Sequence, residues 1–231
     1  MKTIGLIGGM SWESSAILYT LINRLVAERL GGYHSARCVM TSVDFAEIES
    51  MQSRGAWAEA AAALSEEGRR LERAGVDVLV LCTNTMHKVA DEIAAAVGVP
   101  LLHIADVTAV AVRDAGVERV GLLGTRFTME QDFYRDRITG HGIEVVLPDA
   151  GERDAIHRVI YDELVHGVVR DDSRQEFRRI IDSLASRGAE GVILGCTEIE
   201  MLIGNNDVDL PVFPTTRIHA EAAVEWALTQ G

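Results

Sequence analysis

Ala189-Glu190-Gly191-Val192-Ile193-Leu194-Gly195-Cys196-Thr197-Glu198 is the stretch on which the reading of this chain turns. Its apolar core, Val192-Ile193-Leu194, has the make-up of a buried strand. Gly195 ends the run, and Cys196 follows where the strand opens into a turn before a helix. In open α/β sheets, ligands bind at the carboxyl ends of strands. A second stretch has the same build: Val76-Asp77-Val78-Leu79-Val80-Leu81-Cys82-Thr83-Asn84-Thr85. Laid end to end, the two put Thr83, not Cys82, opposite Cys196.

The likeness extends outward. Leu71 maps onto Leu184 and Gly75 onto Gly188, while Ile4-Gly5-Leu6-Ile7-Gly8-Gly9-Met10 maps onto Val120-Gly121-Leu122-Leu123-Gly124-Thr125-Arg126. Units this long are not solenoid repeats. They read as two half-chains, each with a Gly-rich turn and a polar turn. Between them, strands and helices alternate. Strands are expected at 3–7, 37–43, 76–81, 101–104, 120–124, 143–147, 191–194 and 211–213. Helices are expected from about 12 to 30, 57–74, beyond the Thr85 turn to about 97, up to 115, 128–139, 152–167, 173–187 and 216–228. Residues 44–55, with Glu47, Glu49, Gln52 and Arg54, read as a substrate-facing loop. Such alternation argues for parallel sheets covered by helices. The expected fold is α/β: two similar Rossmann-like lobes with parallel sheets, and an active site in the cleft between them. Residues 1–100 with 214–231 would form the first lobe, and 101–213 the second.

Composition narrows the function. The 231 residues carry a formal charge of −13, with 48% hydrophobic and 25% charged residues. That balance is ordinary for a soluble globular protein. It disfavours nucleic acid and anionic membranes, which are recognised by clustered Lys and Arg. A small anionic substrate needs only local donors. Three widely spaced cysteines form no disulfide framework and suit a reducing cytoplasm. Cys38, inside a strand, reads as packing. The apolar run at the start is too short for a signal peptide, and no run suits a membrane span.

The two turns carry the chemistry. A helix N-terminus supplies N–H groups and partial positive charge, which binds a carboxylate and lowers a thiol pKa. Cys196-Thr197 therefore offers a base beside an anion cradle, and Thr83-Asn84-Thr85 offers hydroxyls, an amide and a second cradle. One group on each side of a small substrate suits proton exchange at a carbon next to a carboxylate. Walker, dinucleotide and H-E-x-x-H motifs are absent, and no histidine has metal-ligand spacing. No cofactor and no metal are expected. His87 reads either as a tuner of the first turn or as a plain helix residue.

Taken together, Gly8-Gly9-Met10-Ser11-Trp12-Glu13-Ser14, Asn84-Thr85-Met86-His87 and Gly195-Cys196-Thr197-Glu198 resemble the aspartate/glutamate racemase superfamily, which works without pyridoxal phosphate. The resemblance covers essentially the whole chain and is nearest to the aspartate racemase branch. In that family two cysteines flank the substrate α-carbon and exchange its proton. The residue directly before Asn84-Thr85 here is Thr83, and Cys82 falls one place early. A one-residue shift along a strand turns a side chain to the other face. Thr83 then faces the substrate and Cys82 is buried, unless a bulged turn rotates Cys82 inward. The resemblance implies catalytic Cys196 and Thr83, and a cofactor-independent racemase of aspartate and/or glutamate that prefers the L-enantiomer. Backbone N–H groups of Met10, Ser11, Asn84, Thr85, Thr125 and Thr197 are expected to contact the substrate; the resemblance adds Gln52 for its side-chain end, with His166 the nearest basic candidate for a second carboxylate. A homodimer is implied as well. Rival readings are a maleate isomerase or malonate-type decarboxylase of the same superfamily, and a non-catalytic amino-acid-binding protein.

Overall fold

The structure, a computed structural model, describes residues 1–229. It divides into two compact units: Met1–Ile104 with the chain from His219 onward, and Ala105–Ile218.

In the first unit, β1 (Ile4–Gly8) leads to α1 (Trp12–Leu30), β2 (Cys38–Ser42), α2 (Phe45–Ser53), α3 (Trp57–Arg73) and β3 (Val78–Leu81). A 3₁₀ turn (Thr85–Val89) passes into α4 (Ala90–Ala95), and β4 (Leu101–Leu102) closes a parallel sheet of order β2-β1-β3-β4. Its central strands are buried along their whole length, as the continuous apolar runs require of a sheet covered on both faces. The faces sort by alternation. Ile4, Leu6, Val78 and Val80 pack with Leu18, Ile22 and Val26 of α1 and with Ala220, Ala223, Val224 and Ala227. On the other face, Ile7, Leu79 and Leu81 pack with Ala60, Ala61, Leu64 and Leu71 of α3.

The second unit contains α5 (Ile104–Asp114), β5 (Arg119–Gly124), α6 (Arg126–Glu130), α7 (Asp132–Gly140), β6 (Glu144–Val146) and α8 (Ala150–Asp162). A 3₁₀ turn (Leu164–His166), α9 (Asp171–Ser186), β7 (Gly191–Gly195), a second 3₁₀ turn (Thr197–Met201) and β8 (Val212–Pro214) follow; α10 (Thr215–Thr229), whose residues from His219 on belong to the first unit, ends the described chain. Its sheet is also parallel, in the order β6-β5-β7-β8. The duplication reaches the pairing register. Leu6 pairs with Val80 in the first sheet, and their repeat partners Leu122 and Ile193 pair in the second.

Several elements depart from the sequence reading. Residues 44–55 are not a loop but contain α2, capped by Asp44, whose side chain accepts from the Ala46 N–H at 3.0 Å. Asp44 with Glu47 three residues on is a helix-start signature. The helix expected from the Thr85 turn to 97 is a 3₁₀ turn followed by the short α4. The 128–139 helix breaks at Gln131, whose extended backbone separates α6 from α7. The 152–167 helix ends as α8 at Asp162 before its 3₁₀ turn. Among the described residues, no helix is long and apolar enough to cross a membrane.

Candidate active site

Each sheet reverses its strand order about its central pair. The carboxyl ends of β1 and β3, and of β5 and β7, are therefore topological switch points, where α/β folds hold ligands. Of the catalytic and substrate-contact residues expected from sequence, all except Gln52 and His166 lie on a turn at one of these ends.

In the first unit, Gly9 follows β1 with φ 95°, and a Cβ there would meet the Val43 carbonyl oxygen at 2.3 Å. Only glycine fits such a turn. Ser15, which the sequence reading passed over, holds the loop from inside. Its hydroxyl accepts from the Gly9 N–H at 2.9 Å and donates to the Ser11 carbonyl at 2.8 Å. Ser11 in turn caps α1, accepting from the Ser14 N–H at 3.2 Å. Met10 and Ser11 are both buried.

The second turn of this unit settles where Cys82 lies. Val78, Val80 and Cys82 all belong to one core cluster, whereas Leu79 and Leu81 belong to the opposite one. The period-two alternation thus continues through residue 82 without a bulge. Cys82 is 4% exposed, and burial pushes its thiol up to about 12. Thr83, next along, is half-buried, and Asn84 and Thr85 are buried. Beside them His87 has a structural task. The Ile104 N–H donates to its Nε2 at 3.1 Å. A backbone N–H only donates, so Nε2 is the acceptor and the proton sits on Nδ1. That proton is donated to the Thr83 carbonyl, 2.6 Å away. The imidazole clamps the backbone of the Thr83 turn.

Gln52 projects from α2 rather than from a loop. It is buried, with Nε2 2.8 Å from the Met86 sulfur. His166 ends a 3₁₀ turn in the second unit and is exposed.

In the second unit, Thr125 caps α6, accepting from the Thr128 N–H at 3.4 Å. Cys196 and Thr197 follow β7 and are both buried. The thiol donates to Glu198 Oε2 at 2.8 Å. Burial is the largest influence on Cys196 and the Glu198 charge the next, and together they hold its thiol well above the usual range. This overturns the expectation of a lowered thiol pKa. The element after Cys196 is a five-residue 3₁₀ turn rather than a full helix. Its partial charge is outweighed by burial and by the carboxylates at positions 198 and 200. Cys196 rests as a thiol with a proton acceptor already in contact. The signal for that acceptor was the spacing Cys196-x-Glu198. Cys38, in β2, is half-buried, and burial pushes its thiol up to about 11. Among the described residues, no group of three or more His, Cys, Asp or Glu could hold a metal ion.

Duplicated α/β units carry a polar turn at each switch point, and one of these turns bears a thiol in contact with a carboxylate, a pairing suited to acid–base chemistry. The chain belongs to the Asp/Glu/Hydantoin racemase family, whose model matches residues 7–223. With that membership it is an isomerase of the racemase type. It is 54% identical to a candidate Asp/Glu racemase of solved structure from Yersinia pestis, covering 99% of this chain and 100% of that one at a TM-score of 0.95. An aspartate racemase homologue from Pyrococcus horikoshii is 34% identical, covering 99% and 100% at a TM-score of 0.89. The broad specificity amino-acid racemase RacX of Bacillus subtilis is 25% identical over 67% of this chain and 66% of its own length.

Proposed function

We propose that the protein racemises aspartate and/or glutamate, with the L-enantiomer preferred, through Cys196 and Thr83. The observation that carries this reading is the Cys196 thiol donating to Glu198 at the end of β7. Glu198 takes the thiol proton, the thiolate takes the substrate α-proton, and the thiol is restored. The α-carbanion is reprotonated on its other face by Thr83 or a water beyond it, whose proton is replaced from solvent. A hydroxyl is a far weaker base than a thiolate at neutral pH, so the two enantiomers give up the α-proton at unequal rates, and resemblance to the Thr-containing subgroup of the family implies that L is the better one. The amides and hydroxyls of Met10, Ser11, Asn84, Thr85, Thr125 and Thr197 hold the substrate carboxylate, and Gln52 reads the side-chain end. Support comes from the shared register of the two turns, from the family, and from relatives named as racemases of acidic or varied amino acids.

The reading includes a cytoplasmic setting, which suits three free cysteines. It also includes a homodimer, for which exposed Trp12, Ile17 and Tyr19 on α1 offer apolar surface. Light scattering on the purified protein checks the dimer. The activity is tested by a chiral assay with every L- and D-amino acid, run without added cofactor and repeated on Cys196→Ala. Aspartate or glutamate should racemise in the native protein alone. Inversion of neither, or inversion retained in the variant, overturns the proposal.

A further inference from the structure

The Cys196 turn holds a second carboxylate that the proton scheme leaves unused. Glu200 is half-buried, and its Oε1 accepts from the Thr216 N–H at 3.0 Å. The Thr216 hydroxyl also hydrogen-bonds to this carboxylate. The same hydroxyl oxygen lies 2.9 Å from that of Thr197. A hydroxyl has one hydrogen to give. With that hydrogen committed to Glu200, Thr216 accepts from Thr197. The chain then runs from the Thr197 O–H to the Thr216 O–H to the Glu200 carboxylate, and Thr197 turns its hydrogen inward.

We propose that Glu200 is a positioning residue for substrate binding: its charge state, relayed through Thr216, decides whether the Thr197 hydroxyl donates inward or to a carboxylate of the substrate beside Cys196. When Glu200 is protonated, its own O–H donates to Thr216, Thr216 donates to Thr197, and the Thr197 hydrogen is released toward the substrate. One proton from solvent is taken up, and no other bond forms or breaks. The proposal rests on the reading of the Cys196 turn as a substrate site.

The charged and titratable groups facing Glu200 set where the relay switches. Burial raises its pKa most, the Thr216 N–H and hydroxyl lower it, the Glu198 charge raises it, and Arg217 on α10 lowers it; together they put it at about 7. Cys196, at the head of the same turn, is a further titratable neighbour and feels the Glu200 charge in return. The switch therefore falls in the neutral range.

The test is the affinity for L-aspartate or L-glutamate, measured by titration calorimetry across neutral pH. The native protein should bind about tenfold more weakly above the transition than below it, as a charge-assisted hydrogen bond is withdrawn. Glu200→Gln removes the charge and should flatten the profile. Thr216→Val leaves Glu200 titratable but cuts the relay, so it too should flatten the profile. Thr216→Ser rebuilds the chain and should restore the step. A step that survives in Glu200→Gln or Thr216→Val overturns the relay. Binding without exchange of the substrate α-proton in heavy water instead breaks the racemase reading and leaves the relay standing. Failure to bind either acid overturns both.

Discussion

The Thr83 turn and the Cys196 turn descend from one plan and differ in what they place at the key position. Both follow the second central strand of a four-stranded parallel sheet with the same order and register. Leu79 and Leu81 pack on one face of β3, beyond which a turn closed by the Thr83 N–H on the Leu81 carbonyl at 2.9 Å presents Thr83, whereas Val192 and Leu194 of β7 share a core cluster with Cys196 itself. Cys82 corresponds to Gly195 and packs away from that face. A thiol one residue out of register is a core side chain. The supporting groups differ as well. Cys196 has a carboxylate in contact with its sulfur, while Thr83 has a histidine fixed on its carbonyl. On the proposed mechanism one turn passes a proton on, while the other holds a backbone still.

Substitutions can break this comparison, the largest effect first. Cys196→Ala should reduce α-proton exchange by about 10⁴-fold, since the abstracting group itself is gone. Glu198→Gln should cost about 10²-fold in kcat/KM by removing the proton acceptor. It should also lower the apparent pKa for alkylation of Cys196, because the charge holding that thiol up is lost. Slower exchange with an unmoved alkylation profile would contradict the contact. In the native protein, kcat/KM should rise with pH on the alkaline side, where the raised Cys196 thiol begins to ionise. By contrast, Cys82→Ala should leave exchange within about twofold and cost about 1 kcal/mol of packing, read from the denaturant midpoint. Loss of activity as complete as in Cys196→Ala would mean that Cys82 reaches the substrate.

Much of the fold was legible because its signals are local. Short apolar runs ended by glycine mark the strands, and the repeat of Ile4–Met10 at Val120–Arg126 marks the two sheets. Their register could be read from the same letters, since alternation along β3 has no bulge to disturb it. The misread parts have physical reasons too. In α2 only Ile48 and Gln52 are buried, so its apolar periodicity is faint and only the Asp44 cap announces it. The thiol pKa was misjudged because the partial charge of a turn can be inferred from sequence, whereas burial and a carboxylate at 2.8 Å cannot. Thr216 meets Thr197 from nineteen positions further along the chain, and no spacing rule brings them together.

A smaller test concerns the histidine side of the comparison. His219 is buried, and its Nε2 donates to the Leu102 carbonyl at 2.8 Å. Burial pushes its pKa down to about 4. The folded value lies below the unfolded value of about 6.5, so the unfolded chain binds the extra proton first. The stabilisation is complete above about pH 6.5 and is lost as pH falls toward 4. Up to roughly 3 kcal/mol should disappear across that window, and His219→Gln should flatten the fall. Denaturant midpoints measured from neutral to acid pH check this. An equal fall in the variant would assign the loss to other groups.

The central claim, that one turn carries the working thiol and the other a hydroxyl, is tested most directly by deuterium uptake at the α-carbon in heavy water, starting separately from L- and D-aspartate. The account requires faster initial uptake from L-aspartate than from D-aspartate, with the gap narrowed in Thr83→Cys. Equal uptake from both enantiomers in the native protein would contradict it.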